Sequence, residues 1–335
     1  MKIKVGINGF GRIGKMVFRL MQYSTEMEVV VINDPMPLAT MAHLLKYDTV
    51  HGRFGKAISI DEQLQIIQAN GSRIKKYAFT NPDEIPWSDH SVDVVVEASG
   101  LFLTRRELEA HLKPGVGKVI LTCPSETDLD KTVVIGVNDH ELTKKEQIIS
   151  NASCTTNCVA PALKVLIDNF GIEKGFMNTV HPFTNNQRVI DAPHKDLRRA
   201  RAAASNIIPT TTTAIRCVHT VLPQLKGRFD GFATRVPVFD GSITELVVEL
   251  SNKATVEQIH KAMLDASQGK LKGIIDYCAD PIVSSDIIGQ TASCIYDSLS
   301  TKVLCGNMVQ LVLWYDNEFG YSSRICDLIG LIGRK

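Results

Sequence analysis

The first half of the chain alternates short apolar runs with stretches of helical spacing. Ile3, Val5 and Ile7 lie two residues apart, as in a strand, and the apolar residues of 13–21 then recur at helical spacing. Further strands are predicted at 27–32, 92–97, 118–122, 132–137 and 147–149. Such alternation predicts an α/β domain with a mostly parallel, doubly wound sheet of the Rossmann type.

The second half of the chain has longer alternating runs. These runs cover 231–236, 243–250 and 308–314. Antiparallel sheets often bury one face only, so we expect an α+β domain with a mainly antiparallel sheet. A last pattern of helical spacing, at 319–332, is expected to return to the first domain. The predicted domains are therefore 1–151, completed by a C-terminal helix at 317–335, and 152–316.

Length and charge narrow the class of protein. The chain has 335 residues, of which 44% are apolar and 22% charged, and its net charge is +1. This composition is typical of a globular protein with two domains of ordinary size. A near-neutral chain is not drawn strongly to nucleic acid or to an anionic membrane, so neither is predicted as a primary partner. No apolar run is long enough to span a bilayer, and the start of the chain does not resemble a signal peptide.

Eight cysteines are scattered along the chain. A large chain without a secretory signal is interpreted as reduced, which predicts a cytoplasmic location. Cys154 and Cys158 lie four residues apart and could, as an alternative, form a redox or metal pair. No second Cys or His pair at zinc spacing accompanies them, so no metal site is predicted.

A glycine pattern follows the first predicted strand. Gly9, Gly11 and Gly14 have the G-x-G-x-x-G spacing that opens a helix and directs its N-terminus toward a pyrophosphate. Asp34 ends the second predicted strand, 20 residues after Gly14, where an acid commonly meets the ribose hydroxyls. The alternative is a glycine-rich turn beside a solvated acid. The strand, glycines, helix and acid together predict dinucleotide binding, and Asp34 favours NAD over NADP.

The strongest chemical signal is Cys154, which lies where a predicted strand gives way to a helical pattern. The N-terminus of a helix has unpaired N–H groups and a positive dipole end, and both favour a thiolate. The same N–H groups could stabilise the oxyanion that forms when the sulfur attacks a carbonyl. The alternative for a single cysteine is a small buried side chain beside a helix cap.

Several motifs occur together and in one order along the chain. The run Ser-Asn-Ala-Ser-Cys-Thr-Thr-Asn-Cys at 150–158 is the most distinctive of them. The others lie at 7–14, 180–181, 196–201, 206–209, 235–237 and 314–318. Together they resemble the phosphorylating glyceraldehyde-3-phosphate dehydrogenases, and 196–201 is similar to the bacterial members. The resemblance covers essentially the full length and implies this activity, NAD as cofactor and a homotetramer.

The resemblance implies a mechanism in which Cys154 attacks the aldehyde of glyceraldehyde 3-phosphate and forms a thiohemiacetal. His181, 27 residues further along, acts as the base and stabilises the thiolate as an ion pair. Hydride transfer to NAD leaves a thioester, from which inorganic phosphate releases 1,3-bisphosphoglycerate in glycolysis. Considered alone, His181 could equally be a hydrogen-bonded histidine of a strand.

Two further sets of residues take their roles from the resemblance. The predicted cofactor-binding residues are Gly9, Phe10, Gly11, Arg12, Ile13, Asp34, Thr122 and Asn317. The predicted residues of two anion sites, for the substrate phosphate and the attacking phosphate, are Ser153, Thr155, Thr184, Arg198, Thr212, Thr213 and Arg235. Arginine suits these oxyanions because its guanidinium donates as a bidentate fork.

Three departures from the family pattern bear on turnover. Thr213 stands where the family normally has glycine, and we expect it to add bulk to an anion site or to restrict a left-handed backbone conformation. Asp240, within 238–242, is expected to bring negative charge close to Arg235. Thr80 stands where many members have an arginine near the adenine.

Two other functions stay open at this point. Thr213 and the run 189–192 keep erythrose-4-phosphate dehydrogenase, a close relative with the same Cys and His, as a rival enzyme. The other alternative is a weakly active paralogue with a binding role, against which the pair of Cys154 and His181 argues. A long irregular loop at 182–205 is expected to lie between the subunits of the implied homotetramer.

Overall fold

The computed structural model describes residues 2–333, whose contacts divide the chain into two compact units. The first unit comprises Met1–Val133, Glu141–Ala152 and Ser322–Lys335, and the second comprises Val134–His140 and Ser153–Tyr321. The end of the predicted C-terminal helix, residues 334–335, lies outside the described residues.

The first unit is built on a nine-stranded sheet. Its strands are β1 (Ile3–Asn8), β2 (Met27–Asn33), β3 (Ile58–Asp61), β4 (Ile66–Ala69), β5 (Ser72–Tyr77), β6 (Val94–Glu97), β7 (Lys118–Leu121), β8 (Lys131–Thr132) and β9 (Ile148–Ser150). The α-helices between them are α1 (Arg12–Met21), α2 (Leu38–Lys46) and α3 (Arg105–Glu109). The strand order is β3-β4-β5-β2-β1-β6-β7-β9-β8.

Parallel pairing dominates this first sheet. The antiparallel pairs are β3 with β4 and β4 with β5, and the other neighbours run parallel. The predicted mostly parallel sheet is confirmed. Its central strands are apolar runs because both faces are buried, and β6 has no exposed residue. The carboxyl ends of parallel strands share one edge, where ligands bind in such sheets.

The strand predicted at 132–137 is wrong beyond its first residue. β8 ends at Thr132, and residues 135–138 form a turn. The Val134 N–H donates to Oδ1 of Asn138 at 2.9 Å, and Gly136 adopts a φ of 83°. A side chain that accepts from the backbone competes with a strand ladder, and the alternation of branched residues did not reveal that competition.

The second unit contains a seven-stranded sheet. Its helices and strands are α4 (Cys154–Phe170), β10 (Ile172–Pro182), β11 (Ile208–Thr210), α5 (Ala214–Val221), β12 (Phe229–Val236), β13 (Ser242–Leu250), α6 (Val256–Gln268), β14 (Ile275–Cys278), β15 (Cys294–Leu304) and β16 (Met308–Tyr315). The strand order is β11-β12-β10-β13-β16-β15-β14. The pairs β10 with β12 and β14 with β15 are parallel, and the others are antiparallel. The predicted mainly antiparallel sheet is confirmed.

Helices cover one face of this second sheet. α4 packs against β10, β13, β15 and β16, and α6 packs against β14 and β15. Leu246 and Val248 of β13 are buried, whereas Val247 between them is 39% exposed. The alternation seen in the sequence therefore separates a covered face from an open one.

The last helix, α7 (Phe319–Gly333), begins in the second unit and continues in the first. Over the part of the chain that the structure describes, no helix combines the length and the apolar character needed to cross a membrane.

Candidate active site

Cys154 is the first residue of α4. Oγ of Ser153 caps this helix by accepting from the Thr156 N–H at 3.0 Å. Ala152 just before the cap has a φ of 55°, a conformation that is uncommon outside glycine. This sharp turn is what the motif at 150–158 encodes, and it leaves Cys154 at the position where helix N–H groups are unpaired.

His181 reaches Cys154 from β10. The distance from Sγ of Cys154 to Nε2 of His181 is 3.5 Å. The parallel register of β10 and β12 pairs His181 with Arg235. The predicted catalytic residues and one predicted anion-binding arginine are therefore brought together, from three separate elements of the second unit.

Arg235 determines which nitrogen of His181 carries the proton. Nη1 of Arg235 lies 2.6 Å from Nδ1 of His181 and 2.9 Å from the carbonyl oxygen of Pro182. A guanidinium only donates, so Nδ1 accepts and the ring proton is on Nε2, facing the sulfur. The Pro182 oxygen is also 2.8 Å from Nδ1, where it can accept a hydrogen bond from a protonated Nδ1 once Arg235 moves away.

Burial shifts the pKa values of both partners of the expected ion pair. Burial raises the pKa of the Cys154 thiol, against the lowering effect of Arg235 and of hydrogen bonds from Thr155. Burial, followed by the charge of Arg235, holds the pKa of His181 well below 6.5. Both directions favour a neutral thiol beside a neutral imidazole, and the ion pair stays a prediction.

Tyr315 is a member of this cluster that sequence reasoning missed. Its buried hydroxyl is 2.8 Å from Oγ1 of Thr155 and 2.9 Å from Oγ1 of Thr179. Burial raises the pKa of Tyr315. The hydroxyl of Thr155, predicted to bind an anion, is thus already paired with a neutral phenol. Tyr315 lies within the family motif at 314–318, which was the available signal.

The other predicted anion-binding residues are more open. Arg198 is exposed, and it lines a cavity of about 840 Å³ with Thr212. Thr184 is exposed as well, and its hydroxyl donates to Oε1 of Gln187 at 3.1 Å. Nε of Arg235 is buried and has no hydrogen-bond partner among residues 2–333. A buried donor without a partner fits a bound anion.

The structure constrains the effects of two of the departures from the family pattern. Thr213 is exposed and has a φ of −77°, so no left-handed conformation is restricted there. Asp240 is buried, and burial together with the carboxylates of Asp316 and Glu318 raises its pKa to about 9. This shift favours a neutral carboxyl group at Asp240 over the negative charge expected near Arg235.

The glycines of the first unit have distinct roles. A Cβ on Gly14 would lie 2.1 Å from the carbonyl oxygen of Gly9, and Gly9 has a φ of 91°. A Cβ on Gly11 would meet nothing within 4 Å. Gly9 and Gly14 thus need glycine, Gly9 for its backbone conformation and Gly14 for close packing. The open space beside Gly11, at the start of α1, fits the approach of a pyrophosphate to the backbone.

Further predicted cofactor residues occur in each of the two units. Oδ2 of Asp34 accepts from the Phe10 N–H at 2.7 Å, and the side chain of Arg12 forms an ion pair with Asp48. Ile13 follows Arg12 within α1, and Thr122 lies at the end of β7. In the second unit, Oδ1 of Asn317 accepts from Oγ of Ser242 at 2.8 Å, which orients the Asn317 amide.

Comparison with known proteins identifies similar sequences over both units. Residues 3–105 match the family described as glyceraldehyde 3-phosphate dehydrogenase, NAD binding domain, and 153–317 match its C-terminal domain. The chain is 50% identical over 337 residues to glyceraldehyde-3-phosphate dehydrogenase 2 of Streptomyces avermitilis, with 100% of both chains covered. It is 51% identical over 338 residues to glyceraldehyde-3-phosphate dehydrogenase of Streptomyces coelicolor, again covering 100% of both. The enzyme of that name from Geobacillus stearothermophilus is 49% identical over 336 residues, covering 100% of this chain and 99% of the relative.

Proposed function

The chain belongs to the glyceraldehyde-3-phosphate dehydrogenase family of NAD-dependent oxidoreductases, and we propose that it is the phosphorylating enzyme of glycolysis. It oxidises glyceraldehyde 3-phosphate, with NAD and inorganic phosphate, to 1,3-bisphosphoglycerate. The observation that carries this proposal is the 3.5 Å distance between Sγ of Cys154 and Nε2 of His181 at the start of α4.

The first step joins Cys154 to the aldehyde carbon. A thiol attacks a carbonyl efficiently only as its proton leaves, and Nε2 of His181 is the nearest base. Nε2 can accept this proton only after the ring proton moves to Nδ1. An anion that draws Arg235 away from Nδ1 permits this, because the Pro182 oxygen, 2.8 Å from Nδ1, then accepts a hydrogen bond from Nδ1–H. Substrate binding thus prepares the base.

The oxidised carbon stays on the sulfur of Cys154. N–H groups at the start of α4 stabilise the oxyanion of the thiohemiacetal. Bound NAD would supply the hydride acceptor, and loss of hydride from the carbon held on Cys154 would convert the thiohemiacetal into a thioester. Inorganic phosphate then attacks the thioester carbon, Cys154 leaves as thiolate, and the acyl phosphate is released.

The anion sites are proposed around the two arginines. The buried Nε of Arg235 supports one of them, with Thr184 and Ser153, close to Cys154. The cavity lined by Arg198 and Thr212 supports the other. The side chain of Thr155 takes part through Tyr315 rather than by direct contact in this arrangement. Thr213 adds little, because it is not part of the lining of the cavity that Thr212 and Arg198 share.

The first unit is proposed as the NAD-binding domain and the second as the catalytic domain. Gly9, Phe10, Gly11, Arg12 and Ile13 would hold the pyrophosphate through the open backbone at the start of α1. Asp34 would accept from the ribose hydroxyls and disfavour a 2′-phosphate. Thr122 and Asn317 complete the proposed set, as their family positions imply.

A homotetramer in the cytoplasm is the proposed state of the protein. Phe176 is 68% exposed and lies opposite Val247 on the open face of the second sheet, where Phe232 is 48% exposed. The irregular segment between β10 and β11 adds exposed apolar side chains, namely Val189, Ile190, Leu197 and Ile207. Surfaces of this kind mark sites of protein association. A monomer by light scattering at micromolar concentration would contradict the tetramer.

A coupled absorbance assay at 340 nm tests the reaction. NADH formation from glyceraldehyde 3-phosphate is measured with and without inorganic phosphate, and erythrose 4-phosphate is the competing aldehyde. We expect phosphate-dependent turnover and the higher kcat/KM for the triose. A higher kcat/KM for erythrose 4-phosphate would replace the proposed substrate, and phosphate-independent turnover would contradict the phosphorylating step. Absence of turnover with both aldehydes would favour a paralogue with a binding role.

A further inference from the structure

A buried polar network lies behind the carboxyl edge of the first sheet. We call it the Glu97 cluster; its members are Glu97, Asn8, Ser99, His111 and Trp87. Oε2 of Glu97 accepts from Nδ2 of Asn8 at 2.6 Å and from Nε2 of His111 at 2.9 Å. Oε1 accepts from the N–H and the hydroxyl of Ser99, at 2.8 and 2.5 Å. Glu97 has no exposed surface, so these donors replace water around its carboxyl group.

The outer end of the cluster defines the direction of each hydrogen bond. Nε1 of Trp87 lies 3.2 Å from Nδ1 of His111. An indole only donates, so Nδ1 accepts and Nε2 of His111 donates to Glu97. Both side chains are fully buried. The carboxyl group of Glu97 therefore meets donors on both of its oxygens, which a neutral amide could not accommodate.

The inner end of the cluster joins the loops that follow three neighbouring strands. Asn8 directly precedes Gly9, where a Cβ would lie 2.4 Å from the backbone nitrogen of Ser99. The loops after β1 and β6 are thus in direct contact. The carbonyl oxygen of Glu97 also accepts from the N–H and the hydroxyl of Thr122, both at 3.0 Å, at the end of β7. One residue thereby connects the ends of β1, β6 and β7.

The second strand is linked to the same cluster through Asn8. Oδ1 of Asn8 accepts from Nδ2 of Asn33 at 2.8 Å, and Asn33 directly precedes Asp34. Asp34 in turn accepts from the Phe10 N–H at 2.7 Å. The residues that are predicted to meet the ribose and the pyrophosphate are therefore held together before any ligand binds.

We propose that Glu97 is a positioning residue for the dinucleotide. Its carboxyl group holds the loops after β1 and β6 at one separation, with the N–H groups of the glycine-rich loop already arranged for the pyrophosphate. Pre-arranged loops bind more tightly because less ordering accompanies binding. The proposal concerns NAD binding in the first unit alone and does not depend on which aldehyde is oxidised.

Glu97→Gln tests the proposal, because it keeps the shape but turns an amide N–H toward the Ser99 N–H or toward Asn8 and His111. We expect the Kd for NAD to rise about 10- to 100-fold, the effect of losing a hydrogen bond to a charged group. The Kd is measured by titration calorimetry in the absence of aldehyde. Hydrogen exchange at Ser99 and Phe10 should become faster, with the second unit unchanged.

Glu107→Gln is the matched control. Glu107 is also a carboxylate in the first unit, and its Oε2 accepts from two backbone N–H groups and the Thr104 hydroxyl, in the capping box of α3. Its loss should lower thermal stability but leave the Kd for NAD within about twofold. If both variants lose stability and both keep the wild-type Kd, Glu97 is a structural residue only and the proposal fails.

His111 supplies a second pair of variants in case Glu97→Gln folds poorly. His111→Leu removes one donor to Glu97 and keeps an apolar side chain beside Phe102, which lies in the loop after β6. We expect a Kd for NAD raised about 3- to 10-fold, a typical net loss for one buried hydrogen bond. His111→Gln retains an N–H donor and should restore most of the affinity. An unchanged Kd in His111→Leu, or equal losses in both His111 variants, would overturn the positioning role.

Discussion

Two polar regions differ in how their side chains are paired. The cofactor edge of the first unit contains Asn8, Asp34 and Glu97, and the thiol cluster of the second unit is formed by Cys154, His181 and Arg235. At the cofactor edge, Glu97 accepts from Asn8, His111 and Ser99 although it has no exposed surface. In the thiol cluster, Nε of Arg235 is buried with no partner among the described residues.

This difference indicates two kinds of site. The cofactor edge is arranged before ligands bind, because each polar side chain described there already has protein partners. In the thiol cluster, burial shifts the pKa values of the ionisable groups. Ionisable groups with shifted pKa values in a cleft are candidates for catalysis. Ligand anions would supply the partners that the second cluster lacks.

The largest effect is expected from removing the nucleophile. Cys154→Ser should reduce turnover at least about 1,000-fold with the fold intact, because a serine hydroxyl beside His181 ionises far less readily than a thiol. Turnover is measured by NADH absorbance, and the fold by circular dichroism. Cys158→Ser is the control, and it should keep most of the activity. Because Cys158 is fully buried, the thermal midpoint of this variant should fall. Retention of more than a few per cent of wild-type turnover in Cys154→Ser would disprove the assignment.

Removing the base should have the next largest effect. His181→Asn should lower kcat roughly 10²- to 10⁴-fold, the usual range for loss of general acid–base catalysis. The pKa of His181 is held well below 6.5, so the wild-type enzyme should keep its neutral base at pH 6.5 and above and lose activity only at lower pH.

Alkylation of Cys154 by iodoacetamide gives an independent readout for the same variant. Nε2–H of His181 faces the sulfur, and its removal should raise the pKa of Cys154 further. The pH at which alkylation becomes fast should therefore increase in His181→Asn. An alkylation profile identical to that of wild type would show that His181 does not interact with the thiol.

Substitution of the two arginines should change the kinetic constants differently, because Arg235 contacts His181 and Arg198 is exposed. Arg235→Leu should cost on the order of 1.5–3 kcal/mol in kcat/KM, the range for hydrogen bonds to charged groups. Because Arg235 contacts His181, both kcat and KM should change. Arg198→Leu should raise one KM with little change in kcat, because Arg198 is exposed. Equal changes in kcat for the two variants would contradict this distinction.

The cofactor edge was the more predictable of the two regions. Its glycine spacing, its strand and its helix are local in sequence, and the requirement at Gly14 follows from packing against the nearby Gly9. The turn that presents Cys154 is equally local. The Arg235 contact with His181 depends on the register of β10 and β12, between residues 54 apart in the chain, and no local pattern contains it.

Protonation states were the least predictable property. Asp240 was expected to be charged because a carboxyl group in a sequence is read with its solution pKa. Its pKa of about 9 results from burial and from Asp316 and Glu318, which lie far along the chain. For Cys154, burial likewise raises the pKa of a thiol that the helix N-terminus alone was expected to lower. Tertiary burial decides both cases, and motif spacing carries no information about it.

The burial of Asp240 in the second unit can be measured through the pH dependence of stability. Its pKa rises from 3.8 to about 9 on folding, so folding takes up a proton between these values. The unfolded state then binds fewer protons, and the contribution of Asp240 to the free energy of unfolding falls as pH rises, by at most about 1.4 kcal/mol per pH unit. Asp240→Asn should remove this dependence and raise the thermal midpoint more at pH 8 than at pH 5. Equal shifts at both pH values would show that Asp240 is ionised in the folded protein.

The smallest effect is expected at Thr213, the departure that first suggested a different aldehyde. Thr213 is exposed, has a φ of −77°, and precedes α5 without a side-chain cap hydrogen bond. Its neighbour Thr212 lines the cavity with Arg198, whereas Thr213 is not part of that lining. Thr213→Gly should therefore change the KM for aldehyde and the KM for phosphate by less than about twofold, within the usual range for surface substitutions. Thr212→Ala is the matched comparison, and it should raise one of the two KM values more than Thr213→Gly does. A severalfold improvement in the KM for phosphate in Thr213→Gly would mean that the threonine does narrow the anion site during turnover. In that case the preference between triose and erythrose phosphate would have to be measured again in both variants.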